Sequence, residues 1–306
     1  MAKSKPLVSI GLIAYNREST LPDAVRSLLA QSHRNIELII SDDASSDNTP
    51  NISRAFSRKD KRVTFYRQKK NLGLPHNSNF VLSKAKGIYF MWASDDDMWE
   101  KDFIKTLVLL LEKYQNAGLS MCNFDLYNER SRKKVRMNYP VYQNGVSLIT
   151  SYLRFTPLIV WGLFRTSLLR EAGGFHTDSR PILHWGSDNV TVFRTLLISG
   201  FCFTRKCLWQ KRDSGYGLNP NEGIKNFFSS EDIRKRTFRY LVYPVMFLYD
   251  YFAFIRYGSA SEFSFVEKTK LMIESNRWLL RVNIDFMRTL FGGLTYLFSR
   301  LFLRQR

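Results

Sequence analysis

Cysteine is scarce. Cys122, Cys202 and Cys207 are the only three in 306 residues, and an odd number so widely scattered argues against a disulfide framework and for a reducing, cytoplasmic compartment. Histidine is equally sparse. His33, His76, His176 and His184 stand at no metal-binding spacing, so a site built on paired histidines and cysteines is not expected. Long apolar runs are missing too. Tyr240 to Ile255 and Phe286 to Leu303 come nearest, but Pro244 and Asp250 interrupt the first and Arg288 and Arg300 the second, short of the roughly 20 residues a spanning helix needs. Leu7 to Ala14 is apolar but lacks a small-residue cleavage site, so no signal peptide is expected. Acidic residues number 27 against 46 basic ones, a net charge of +19 that calls for an anionic partner.

What is present suits a globular α/β protein. Hydrophobic residues make up 44 %, enough to fill a core, and the length fits one large domain or two small ones. From Leu7 to about Ala93, short β-rich runs alternate with helical ones, the pattern of βαβ units around a mostly parallel sheet. Strands are expected at Leu7 to Ile13, Ile36 to Ile40, Val63 to Arg67 and Ile88 to Ala93. A helix carrying Leu21, Ala24, Val25, Leu28 and Leu29 follows the first, with Thr20 as its expected N-cap. Another presents Phe103, Leu107, Leu110, Leu111 and Tyr114 on one stripe. Further on, the pattern predicts strands at Leu119 to Tyr127, Lys134 to Tyr142, Leu158 to Phe164 and Phe201 to Trp209. It also predicts helices at Ser167 to Ala172 and Asp188 to Ser199. From about Gly223 the sequence turns aromatic, basic and helical, so a domain at 1–222 and an extension at 223–306 are expected.

Two of these strands run into acid clusters, Asp42-Asp43 and Asp95-Asp96-Asp97. Ligands of open α/β sheets bind outside the carboxyl ends of the strands, so both clusters can line one crevice. Crowded carboxylates need a cation or hydrogen-bond donors. An all-oxygen set completed by a phosphate suits Mg²⁺ or Mn²⁺. The plainer reading is that the first cluster caps a helix and the second is a solvated loop.

At Val8-Ser9-Ile10 through Ala14-Tyr15-Asn16, Leu28 to Gln31, Ile39 through Thr49, Asn71-Leu72-Gly73 and Gly87 through Trp99, the chain resembles family 2 glycosyltransferases of the GT-A fold. The resemblance is firm from Leu7 to Asp102 and looser to about Gly215. It implies a donor site for a nucleotide sugar, usually UDP-linked. Ala14 and Tyr15 fall at the nucleoside, Asp43 at the base, Asp95 at a donor-contacting position and Asp96 at the metal-binding acid that closes the DxD motif. It further implies a single-displacement transfer with inversion, and a base at Asp188, just before a helix, with Ser187 in place of the usual Glu.

The chain departs from that pattern at Ser94, the first DxD position, at Ser78, where many members carry Arg, and around Asp213, where some have a metal-contacting His. These departures keep a noncatalytic scaffold or binding module on the same fold as the competing expectation. Arginines interleaved with large apolar side chains after Arg277 suit a helix lying on anionic lipid. A lipid-linked or glycan acceptor and a peripheral position on the inner face of the cell membrane are therefore expected. Nucleic acid is not: no reading module is present, and Asp95 to Asp97 would repel phosphate.

Overall fold

A computed structural model describes residues 5–128, 132–138, 149, 152–153, 159–175, 177, 187–213, 251–281 and 283–284. The chain forms two compact units, Met1–Tyr127 with Lys134–Arg212, and Asn128–Lys133 with Asp213–Arg306. The expected boundary near Gly223 lies outside the described residues.

The first unit is built on a sheet whose leading strands are β1 (Val8–Ala14), β2 (Ile36–Asp42), β3 (Val63–Arg67) and β4 (Tyr89–Ala93). They stand in the order β3-β2-β1-β4 and pair in parallel, with Ala14 opposite Asp42 and Leu12 opposite Ala93. Parallel strands covered on both faces read as continuous apolar runs. β1 and β4 do so, with nearly every side chain buried. The sheet continues through β8 (Leu163–Arg165), β6 (Ala117–Asn128), β9 (Gly200–Asp213) and the two-residue β5 (Met98–Trp99), with β7 (Lys133–Met137) beside β6. The β4–β8, β6–β8 and β5–β9 pairs are antiparallel, so the parallel order expected for the chain's first third gives way beyond β4.

Helices α1 (Leu21–Leu29), α2 (Thr49–Lys59), α3 (Leu74–Lys84) and α4 (Phe103–Lys113) flank these strands. α3 lies close on β1 because Gly11 has no side chain: a Cβ there would meet Val81 Cγ2 at 2.6 Å and Phe90 Cζ at 2.8 Å. Trp92 centres the core, its ring edge-on to Phe90, Phe164 and Phe175 at centroid distances of 5.1, 5.7 and 4.7 Å. Such edge-to-face contacts add about 0.5–1.5 kcal/mol each beyond area burial.

Several expectations need correction. Thr20 takes the N-cap position of α1 as expected, but its side chain makes no cap hydrogen bond; its hydroxyl donates instead to the Asp95 carbonyl at 2.9 Å. In α4 the core stripe runs through Phe103, Ile104, Leu107, Val108 and Leu111, while Tyr114 is exposed. Of the strand expected at Leu158 to Phe164, Leu158 lies outside the described residues and Ile159–Trp161 is a 3₁₀ turn, closed by Gly162 N donating to Ile159 O at 3.0 Å. Only Leu163–Arg165 is extended. β9 outruns its expected end at Trp209 by four residues, and residues 139–142 of the strand expected after Lys134 lie outside the described set.

α5 (Thr166–Glu171) stops where Gly173 and Gly174 take φ of 84° and 62°, a left-handed ending that glycine adopts without Cβ strain. α6 (Ser187–Ile198) follows. In the second unit, residues 251–260 and 265–281 are helical. They pack through Phe254 against Trp278, centroids 5.0 Å apart, and Tyr251 Oη donates to Asn276 Oδ1 at 2.7 Å. Among the described residues, no helix is long and apolar enough to cross a membrane.

Candidate active site

Because β2, β1 and β4 are adjacent and parallel, their carboxyl ends open on one edge of the sheet, with the end of β1 between the two acid clusters. A backbone relay joins them. Asp43 N donates to the Ala14 carbonyl at 2.8 Å, and Tyr15 N donates to Asp95 Oδ2 at 3.1 Å. Ala14 is buried and the Tyr15 side chain is 46 % exposed, so one supports the loop and the other presents a ring to whatever enters.

The loop after β1 is stitched to the loop after β2. Asn16 N donates to Ser45 Oγ at 2.9 Å, Arg17 N to Thr49 Oγ1 at 2.8 Å and Glu18 N to Asp47 Oδ2 at 3.0 Å. Asn48 N donates back to Glu18 Oε2 at 2.8 Å. Asn16 and Ala44 hold φ of 53° and 61°, positions where a side chain normally resists the left-handed region. Such strain persists only where surrounding bonds determine it.

Asp43 is buried, and its carboxylate accepts Leu72 N at 2.7 Å and Gly73 N at 3.0 Å. It therefore shapes the Asn71-Leu72-Gly73 loop from beneath. Burial pushes its carboxyl up, the two backbone bonds pull it down and Asp42 pushes it up again; the balance is a raised value. Asp42 is fully buried, receives Ser45 N at 3.3 Å and lies 3.5 Å from Arg67 Nε. Ser78 faces the core: it is buried within α3, and its carbonyl accepts Trp92 Nε1 at 3.0 Å.

The acids after β4 divide into three roles. Asp95 faces Tyr15 N and the Arg17 guanidinium, whose Nε is 3.3 Å from Oδ1. Desolvation and the neighbouring Asp96 carry it to about 7 despite Arg17. Asp97 is fully buried and turned away, accepting Trp209 Nε1 at 3.1 Å and Arg212 N at 2.9 Å, with Lys211 Nζ at 3.8 Å. Burial brings it to about 6, with Lys211 opposing. Asp96 lies between them; its Oδ1 accepts the Ser94 hydroxyl and its carbonyl accepts Arg212 Nε at 2.9 Å. Among the described residues no group of three or more His, Cys, Asp or Glu side chains is arranged to hold a cation. One carboxylate nonetheless fits Mg²⁺ or Mn²⁺ completed by phosphate oxygens and water, which is how these ions bind nucleotides.

Asp188 opens α6. Burial raises its carboxyl, and Lys211 is the charged side chain that opposes the rise. Lys211 thus acts on Asp188 as well as on Asp97. The side chains of Ser187 and Asp213 lie outside the described residues, as do His176 and His184. Sequence reasoning missed Arg17, Trp209, Lys211 and Arg212 as parts of this site. For Arg17 the signal was Asp95, and for the other three Asp97, acids whose burial requires donors from elsewhere; the stretch from Trp209 was marked only for Asp213.

Comparison with known proteins gives this arrangement its context. Residues 9–171, more than half of the chain, match the model of Glycosyl transferase family 2. An uncharacterized glycosyltransferase of Rickettsia typhi is 36 % identical over 210 residues, 68 % of this chain and 64 % of its own length. TuaG of Bacillus subtilis, a glycosyltransferase named for teichuronic acid biosynthesis, is 36 % identical over 114 residues, 37 % of this chain and 45 % of its own. The matches thus span less than two thirds of these relatives. Among solved structures, S. aureus TarS in complex with UDP-GlcNAc aligns with a TM-score of 0.62 at 14 % identity, over 89 % of this chain and 72 % of that one. The mannosyltransferase PcManGT from Pyrobaculum calidifontis, in complex with GDP-Man and Mn²⁺, aligns with a TM-score of 0.54 at 15 % identity, over 95 % and 86 %. At such identities the structural likeness speaks for the fold, and the sequence match speaks for the lineage. The chain belongs to glycosyltransferase family 2 and carries its GT-A fold.

Proposed function

We propose that the protein transfers a sugar from a nucleotide-sugar donor, UDP-linked in the first instance, to an acceptor hydroxyl, inverting the anomeric carbon in one displacement. The observation that carries this reading is the relay from Asp43 through Ala14 and Tyr15 to Asp95, which gathers both acid clusters at one sheet edge. Asp43 and the loop it shapes, with Ala14 and Tyr15, receive the nucleoside, and Asp95 holds the neighbouring part of the donor. Asp96, steadied by Ser94, is the protein ligand for Mn²⁺ or Mg²⁺. When bound, the cation supplies Lewis-acid stabilisation of the departing diphosphate. Asp188 accepts the proton of the attacking hydroxyl, a task that suits a carboxyl raised by burial.

A lipid-linked glycan in surface-polysaccharide synthesis is the proposed acceptor class, and the inner face of the cell membrane the proposed place. The helix at 265–281 supports this. Val266, Ile273 and Leu280 recur every seven residues and are 61, 43 and 64 % exposed, with Lys270 and Arg277 beside them. Seven-residue spacing keeps such side chains on one face, drifting only about 20° per repeat, and an apolar stripe edged by basic residues suits an anionic bilayer surface.

The test is a mass-spectrometric screen of nucleotide sugars with the full chain, with and without Mn²⁺. Release of nucleoside diphosphate from one donor, dependent on the cation, is expected. Binding without turnover for every donor and acceptor lipid offered favours the scaffold instead.

A further inference from the structure

Lys211 is held in an unusual setting for a lysine. Its Nζ sits over the rings of Trp161 and Trp209, 5.8 and 5.7 Å from their centroids, and 3.8 Å from Asp97 Oδ2. Its side chain is 24 % exposed and that of Asp97 is not exposed at all. Two indole faces attract an ammonium and confine it. Asp97 already accepts Trp209 Nε1 and Arg212 N, so each of its oxygens has a hydrogen-bond donor without Lys211. The turn that carries Trp161 packs against α6, whose first residues include Asp188, and the Lys211 charge is felt at that carboxyl.

We propose that Lys211 is a positioning residue: one caged cation that ties the acidic loop after β4 to the first turn of α6, and so sets Asp188 relative to the loop that bears Asp96. The proposal rests on the reading of Asp188 as the base. β9 is the element that makes the tie possible. Its Trp209 and Gln210 pair with Trp99 and Met98 of β5, and its Arg212 side chain donates to the Asp96 carbonyl. Lys211 thus projects from a strand already fixed to the loop. Removing its charge takes from buried Asp97 its ion-pair partner and from the two indoles the cation they enclose, so the acidic loop and the Trp161 turn that packs on α6 lose their common anchor.

Two measurements on the full chain decide it. The first compares unfolding midpoints of wild type, Lys211→Met, Asp188→Asn and the double variant. Lys211→Met is expected to lower the midpoint, and adding Asp188→Asn to raise it part of the way back, because the neutral amide no longer needs the cation. Midpoint shifts that simply add would overturn the proposal. The second measures turnover and donor binding with a UDP-sugar and Mn²⁺. Lys211→Met is expected to reduce kcat on the order of 10- to 100-fold, the scale of a misplaced catalytic group, with donor Kd changed less than about 3-fold and most of the rate restored by Lys211→Arg. A weaker donor Kd with unchanged kcat would assign the ammonium to the diphosphate and contradict the proposal. Wild type that consumes no nucleotide sugar would defeat the proposed function, while the midpoints would still decide the role of Lys211.

Discussion

Tyr15 donates its backbone N–H to Asp95 Oδ2 across 80 residues of sequence, so the end of β1 and the acidic loop after β4 share one carboxylate. Arg17 holds the other oxygen. Asp95→Ala leaves Tyr15 N and Arg17 without that acceptor and frees the loop at the proposed donor site. Affinity for UDP with Mn²⁺, measured by calorimetry, is expected to fall on the order of 10-fold, since leaving a buried donor without its partner costs about 1–3 kcal/mol.

Asp43 organises rather than merely lines the site. Its oxygens accept Leu72 N and Gly73 N, and Gly73 holds a φ of 79°. Gly73→Ala forces a Cβ into the left-handed region, at a cost of about 1 kcal/mol or more. A lowered melting midpoint with a disproportionately weakened nucleotide affinity is expected. Unchanged affinity would separate this loop from the donor.

Asp47 gives the site an acid limit. Burial raises its carboxyl, but bonds from Thr49 and Glu18 outweigh burial and hold it below the ordinary 3.8. A depressed carboxyl contributes stability above its unfolded value, and that contribution is lost as pH falls through the folded one. Asp47→Asn keeps one acceptor oxygen for the donors of Thr49 and Glu18 and is expected to cost about 1–2 kcal/mol at pH 7. The gap to wild type should narrow below about pH 4, read by denaturant titration across that range.

The stripe at Val266, Ile273 and Leu280 makes the membrane reading measurable. Ile273→Asp with Leu280→Asp is expected to reduce co-sedimentation with anionic vesicles several-fold, since burying each such side chain contributes about 1.5–3 kcal/mol. Equal sedimentation of wild type and variant would remove that surface from consideration.

Much of the first third was legible because parallel strands and amphipathic helices write their periods directly into sequence. Val8 to Ala14 and Tyr89 to Ala93 are apolar at nearly every position, and Ile36 to Asp42 and Tyr89 to Ala93 run into acids that the chain itself marks. Thr20 stands at the N-cap its local signal indicates, but nothing local reveals that its hydroxyl goes to the Asp95 carbonyl 75 residues away. The segment Ile159 to Trp161 looks like a strand in composition. Gly162 closes it as a turn, because its backbone passes so near Ser120 that a Cβ would lie 2.4 Å from that carbonyl. Lys211 was invisible for a similar reason: a lysine near a strand end is usually solvated, and nothing local reveals two tryptophans and a buried aspartate around it.

Asp96 is the protein ligand proposed for the cation. Cation-dependent release of nucleoside diphosphate should be measured for wild type, Asp96→Ala and Ser94→Ala over a range of Mn²⁺. A loss on the order of 10³-fold is expected for Asp96→Ala, comparable to removing a principal electrostatic stabiliser of a transition state, with a raised Mn²⁺ requirement for Ser94→Ala. Equal turnover in wild type and Asp96→Ala would contradict the assignment of this acidic edge as the donor site.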